Sequence, residues 1–222
     1  MQKVIFIDSE SVLENNYQGI VDLKECLSEA LITRLHETND LSAISLDQLS
    51  ADINMDADLV RSVFRDVNEL LLYWFNARIS EIFVSLTADF SKDFEATTRE
   101  KILETLMSIL EAFADKRYIF QRIHKWALRD FQFGISITIS AYHLCDMILT
   151  ISGDKKKDLP IAAARRSMRI KGLIGLLLKT SLVWFKDDSD GLATTFREVD
   201  NNLSQAIEIA ESFKLFEGSR YE

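Results

Sequence analysis

Apolar side chains recur every three or four positions from Ile20 onward, at Leu23, Leu27, Leu31, Ile32 and Leu35. That spacing places them on one face of a helix. Ser45-Leu46-Asp47-Gln48 then reads as a capping box, in which a hydroxyl and an amide satisfy free N–H groups at a helix start. A short helix of about two turns should follow it. Asp56 is placed to cap a second short helix. Asp66-Val67-Asn68-Glu69 opens a long amphipathic helix with Leu71, Leu72, Phe75, Ile79, Ile82, Phe83 and Leu86 on its buried side. The N-terminal part is therefore laid out as long, short, short, long.

Beyond residue 92, helices are expected over roughly 97–114, 117–129, 132–151, 160–186 and 191–214. Pro160 suits a first helical turn, where its missing N–H is no loss. Phe131 to Ser140 alternates apolar and polar residues like a strand. A lone strand has no ladder partner, so a helix is expected there too. Residues 1–16, with Val4-Ile5-Phe6-Ile7 followed by Asp8, read as an N-terminal arm packing on the body. A phosphotransferase strand would carry a second Asp two residues on, and here that position is Glu10. The chain divides into an arm with a three-helix domain, 1–66, and a linking helix plus bundle, 67–222.

Composition supports an all-α class. Seven Gly and one Pro in 222 residues are too few for a sheet protein rich in tight turns. Cys26 and Cys145 lie far apart and form no spaced set, which suits reduced thiols in a cytoplasmic protein. Of the net charge of −9, residues 1–90 carry sixteen acids against six bases, and residues 91–222 carry nineteen against twenty. The excess acidity therefore sits in the N-terminal part.

Four groups of residues are candidates for function. Seven bases and one acid, Asp158, occupy 155–171: Lys155, Lys156, Lys157, Arg165, Arg166, Arg169 and Lys171. They suit either an anionic lipid or acidic protein surface, or a solvated loop. Phe113, Phe120, Trp126, Phe131, Phe133 and Tyr142 either line an apolar ligand cavity or form plain core. Leu173, Leu177 and Trp184 in one helix, with Phe196, Leu203 and Ala210 in the next, form apolar stripes that either bundle two chains into a homodimer or pack within one. Gly172 and Gly175 allow close helix approach there. His36, His124 and His143 are scattered, so no metal site is expected. There is no nucleophile elbow and no phosphate-binding glycine loop, so no enzyme activity and no cofactor are expected.

Ser45 to Leu70 resembles the helix-turn-helix of TetR-family transcriptional regulators without a gap. Ser45 is the cap, Leu49-Ser50 stand for the family's Ile-Ala, Asn54-Met55-Asp56 form the turn, and Val60, Phe64 and Leu70 fill buried positions. The resemblance implies a TetR-like fold, with Ser45, Asp56, Leu59, Arg61 and Ser62 at DNA-facing positions. Those positions depart from the family: Asp56 and Leu59 replace donors, and Val67 stands where the family has Lys. Seven acids and two bases, Arg61 and Arg65, lie between Asp40 and Glu69. DNA affinity rests on neutralising phosphates, so this surface opposes it.

A second likeness lies in Asp146-Met147-Ile148, Ser152-Gly153-Asp154, Asp158, Arg165-Arg166, Thr180, Asp187-Asp188-Ser189 and Thr195. Their order is similar to that of the ubiquinone-biosynthesis lipid-binding proteins, which use the TetR fold without reading DNA. It implies an isoprenoid lipid in the C-terminal domain and an accessory role to a partner enzyme. The expected function is thus a non-enzymatic dimer that binds an apolar small molecule or lipid, with DNA binding weak or lost. The alternative is an active, ligand-responsive DNA-binding repressor.

Overall fold

The computed structural model describes residues 9–38, 40–93, 95–154 and 160–212. Among these, all regular structure is helical. The longer helices are α1 (Ser9–Glu37), α2 (Leu46–Asp52), α3 (Ala57–Val63), α4 (Val67–Phe90), α5 (Thr98–Ala112), α6 (Arg117–Ala127), α7 (Phe131–Ile151), α8 (Pro160–Trp184) and α9 (Ala193–Ser212). The periodicity predicted each of them. One difference is at the start: α1 begins at Ser9, so the second half of the expected arm is helical. Val4 to Ile7 lie outside the described residues. The chain forms two compact units, Met1–Ala77 and Arg78–Glu222. The boundary between the units falls within α4.

In the first unit, Leu23, Leu27, Leu31 and Leu35 of α1 are buried, as are Leu49, Val60, Phe64, Leu70, Leu71 and Trp74. Each such side chain contributes about 1.5–3 kcal/mol by leaving water. The Phe64 ring meets Tyr73 edge-on at 5.5 Å, and the Lys24 ammonium lies over both rings. Asn54 turns the chain between α2 and α3 with φ of 52°. Asparagine tolerates that left-handed conformation, as its place in the turn implies.

In the second unit, α8 packs along α9, and α7 packs on α5, α6 and α8. Leu173, Leu176, Thr180 and Trp184 of α8 are buried, with Val199, Leu203, Ile207 and Ala210 of α9. Four residues expected at a dimer interface (Leu173, Trp184, Leu203 and Ala210) therefore lie inside one chain. Leu177 is half-buried and Phe196 is exposed. One apolar stripe on each helix was enough to join α8 to α9, leaving nothing of those four for a second copy.

Residues 131–140 are helical. The Asp130 side chain accepts from the Phe133 N–H at 3.0 Å and caps α7. The period of α7 turns Phe133, Leu144, Cys145 and Ile148 inward and Phe131, Ile135, Ile139 and Tyr142 outward. Gly134 lies against the end of α6: a Cβ there would stand 2.7 Å from the Ala127 carbonyl oxygen. Close approach of backbones, not turn-making, explains this glycine.

Candidate functional site

The α2–turn–α3 segment has helix-turn-helix order, and its polar side chains are occupied by its own backbone and charges. Ser45 Oγ accepts from the Gln48 N–H at 3.2 Å, while Gln48 Oε1 accepts from the Ser45 N–H at 3.0 Å. Asp56 caps α3 by accepting from the Asp58 and Leu59 N–H groups. Ser62 Oγ donates to the Leu59 carbonyl at 2.6 Å. Leu59 is exposed and offers no polar atom.

The guanidinium groups are matched by carboxylates. Arg61 reaches Asp47 in α2 at 2.6 Å and Asp58 in α3 at 2.8 Å. Arg65 pairs with Asp66 at 2.9 Å. Arg34 of α1 grips both oxygens of Asp52 at 2.7 and 2.6 Å. Hydrogen bonding from Arg34 holds the Asp52 carboxyl below its ordinary range. Exposed pairs of this kind are individually weak, so Arg61 is not locked in place. Turning Arg61 away from these partners would leave Asp47 and Asp58 without it.

The C-terminal polar residues form internal ties. Arg166, singled out as part of a basic patch, is buried. Its Nε donates to Asp146 Oδ1 at 2.6 Å, and its Nη2 donates to the Asp146 carbonyl and Thr150 Oγ1, both at 2.8 Å. Its Nη1 also bonds the Asp154 carbonyl. Arg169 meets Asp154 Oδ2 at 2.8 Å. These two arginines therefore hold α8 to the end of α7 and do not form a surface patch. Arg165 is half-buried, and Lys155, Lys156 and Lys157 lie outside the described residues.

Asp187 is buried in the connection between α8 and α9. Its Oδ2 accepts from the Thr195 N–H at 2.6 Å, and its Oδ1 accepts from the Ser189 N–H at 3.0 Å and from Ser189 Oγ. Burial alone would raise its pKa, but the donors from Ser189 and Thr195 hold it well below the usual carboxylate range. Arg117 caps the other side of this junction, donating to the Asp187 and Trp184 carbonyls. A depressed carboxyl contributes stability that is present above the unfolded-state pKa of about 3.9 and is lost as pH falls through its folded value. Asp187→Ala should lower stability by about 1–3 kcal/mol near neutral pH. The gap from wild type should shrink below pH ~4, measured by urea titration at several pH values. A gap independent of pH would show that the charge is not what matters.

The six aromatics do not converge. Phe113, Phe120 and Trp184 stack edge-on in a chain, with centroids 5.0 and 5.5 Å apart. Trp126 meets Phe133 at 5.7 Å. Phe131 and Tyr142 are exposed, on the opposite face of α7 from Phe133, so they do not line an internal cavity with the others. Cys145 is fully buried, and desolvation pushes its thiol up to about 12, which leaves it protonated and poorly suited to bind a metal.

An open groove of about 750 Å³ runs beside α5. Leu103, Met107 and Phe196 give it an apolar side, and Asp93, Glu95, Glu100, Glu104 and Glu111 line it with acid. Its signal was present in the sequence, because Glu100, Leu103, Glu104, Met107 and Glu111 fall on one helical face. Phe196 is exposed because it reaches over this groove rather than into the α8–α9 seam.

No protein-family model and no curated protein sequence matches the chain. Among solved structures, it is similar to a TetR transcriptional regulator from Nitrosomonas europaea ATCC 19718, with a TM-score of 0.66 and 17% identity over 84% of this chain and 99% of that one. This likeness shows the fold, all-α and TetR-like.

Proposed function

We propose that this protein is a non-enzymatic, TetR-fold dimer that holds an apolar small molecule or lipid in its C-terminal unit, with DNA binding by its helix-turn-helix weak or lost. The observation that carries this reading is the state of the DNA-facing surface. Arg61 and Arg65 are matched by Asp47, Asp58 and Asp66, Asp52 is matched by Arg34, and Asp56 adds further negative charge. The test is fluorescence anisotropy with labelled duplex DNA at two salt concentrations. The expected affinity is weaker than a Kd of about 10⁻⁴ M even at ~50 mM salt. Tighter binding that falls steeply with salt and disappears in Arg61→Ala would overturn the reading. It would also establish the alternative, a ligand-responsive repressor, which the TetR-like fold supports.

The groove beside α5 supports the ligand half of the reading. Its apolar side suits a greasy body, and its acids favour a molecule that carries a positive end over an anionic one. An isoprenoid is the ligand implied by the C-terminal likeness. Asp146, Asp154, Arg166, Asp187 and Thr195 bond among themselves and their neighbours, so folding alone accounts for their presence. Mass spectrometry of lipid extracted from the purified protein separates an isoprenoid from a cationic amphiphile.

Dimerisation draws on a face of α8 that the chain leaves open. Ile161, Met168 and Leu182 are exposed and share a heptad register with Gly175, and exposed Leu178 adjoins them. A Cβ at Gly172 or Gly175 would meet nothing within 4 Å. Neither glycine is needed for packing inside the chain, and both leave room for a second α8 to come close.

A further inference from the structure

The corner between α6 and α7 carries Leu128 and Phe131, 78% and 81% exposed, the two most exposed large apolar side chains among the described residues. They are three positions apart, so both mark one small region of surface. Exposed apolar groups cost little singly, but two at one corner, continued along α7 by exposed Ile135, Ile139 and Tyr142, form a patch. Cations flank it. His124, Lys125 and Arg129 are exposed, and the Arg122 guanidinium lies over the Tyr118 ring at 5.1 Å. Among the described residues, neither Lys125 nor Arg129 has an acidic side chain within ion-pair distance. The nearby acid, Asp130, is engaged as the cap of α7. In a chain of net charge −9, this is a locally positive, apolar-tipped surface.

We propose that this corner docks on an anionic lipid bilayer. Leu128 and Phe131 enter the boundary between headgroups and acyl chains, while Lys125 and Arg129 stay at headgroup level with their stems along the apolar surface. Charge selects this occupant over a second copy of the same face. A two-fold contact through the corner would set Lys125 and Arg129 against their own copies, with the one acid there, Asp130, engaged as the cap of α7. The α7 helix is long and apolar enough by composition to cross a membrane. However, Asp146 is held by Arg166, and Leu144, Cys145 and Ile148 face the core, so α7 packs on the body along one side and is open along the other. The surface shares no residue with the groove beside α5 or the open face of α8, so it stands or falls independently of the ligand and dimer readings.

The experiment is flotation of the full chain with vesicles of phosphatidylcholine alone and of phosphatidylcholine mixed with phosphatidylglycerol. Binding to the anionic vesicles is expected to be tighter by about tenfold or more, and to weaken with salt. Leu128→Ser with Phe131→Ser, and separately Lys125→Glu with Arg129→Glu, should each abolish the preference. Both variants should keep the wild-type circular dichroism spectrum and unfolding midpoint, because the altered side chains lie outside the core. Trp126 is half-buried beside the corner, whereas Trp74 and Trp184 are buried. Brominated lipid should therefore quench Trp126 in the wild type and not in the serine variant. Equal partition to both vesicle types overturns the proposal, as does wild-type binding by both variants. An oligomer that the serine variant splits, with no vesicle binding by the wild type, assigns the face to a second copy and overturns it as well.

Discussion

Replacing Arg166 by alanine is expected to destabilise the C-terminal unit by about 3–5 kcal/mol. The Arg166 side chain is 8% exposed and joins Asp146 and Asp154, which are 16% and 14% exposed. Its removal takes a charge partner from the Asp146 carboxylate, a donor from the Asp154 carbonyl, and one of the donors of the Asp146 carbonyl, which keeps the Thr150 hydroxyl. Most of the loss comes from these weakened contacts, because a buried ion pair adds little net stability while breaking it costs several kcal/mol (roughly the same 3–5). Arg166→Lys should recover only part of it, since an ammonium cannot reproduce a guanidinium that donates in four directions. Arg166→Met combined with Asp146→Leu should be milder than Arg166→Ala, because no charge is then left alone at that pair. Urea unfolding followed by circular dichroism measures each difference. A loss below about 1 kcal/mol for Arg166→Ala would mean that water replaces the guanidinium freely.

The second large effect concerns the dimer. Leu178→Glu with Leu182→Glu should weaken self-association by at least about 100-fold, since a two-fold interface would gather four carboxylates in one apolar seam. Sedimentation velocity over a range of protein concentrations reads this directly. The fold should be spared, because both leucines are more than half exposed in the single chain. Leu203→Ala is the contrasting variant: its side chain is 2% exposed, so it should lower folding stability by about 2–5 kcal/mol without acting first on association. A glutamate variant that still dimerises like the wild type would place the interface elsewhere on the chain.

Much of the fold was legible because helices are written locally. The Ser45–Gln48 capping box, the Asp56 cap and the Asp66 start each depend on residues within one turn, and each appears where the sequence places it. Asn54 in the turn needed only its own backbone preference to be read. The misleading signals were those whose meaning depends on distant partners. Apolar stripes on α8 and α9 announce that something covers them without saying whether the cover is the same chain. A run of bases announces positive charge without showing that Asp146 and Asp154 come back to meet it. The aromatics between 113 and 142 were read as one cluster, yet the helical period of α7 sends Phe131 and Tyr142 to the opposite side from Phe133.

By itself, the sequence determined the helices, their caps, the helix-turn-helix order and the acidity of its face, since periodicity, capping and charge are properties of short stretches of chain. Only the tertiary structure decided which charges are neutralised and which apolar faces remain open. Arg166 became an internal tie, Leu173 and Leu203 became core, and the corner at Leu128 and Phe131 stayed uncovered. Each depends on residues that meet only after the helices have packed, and burial and charge pairing are set by that meeting.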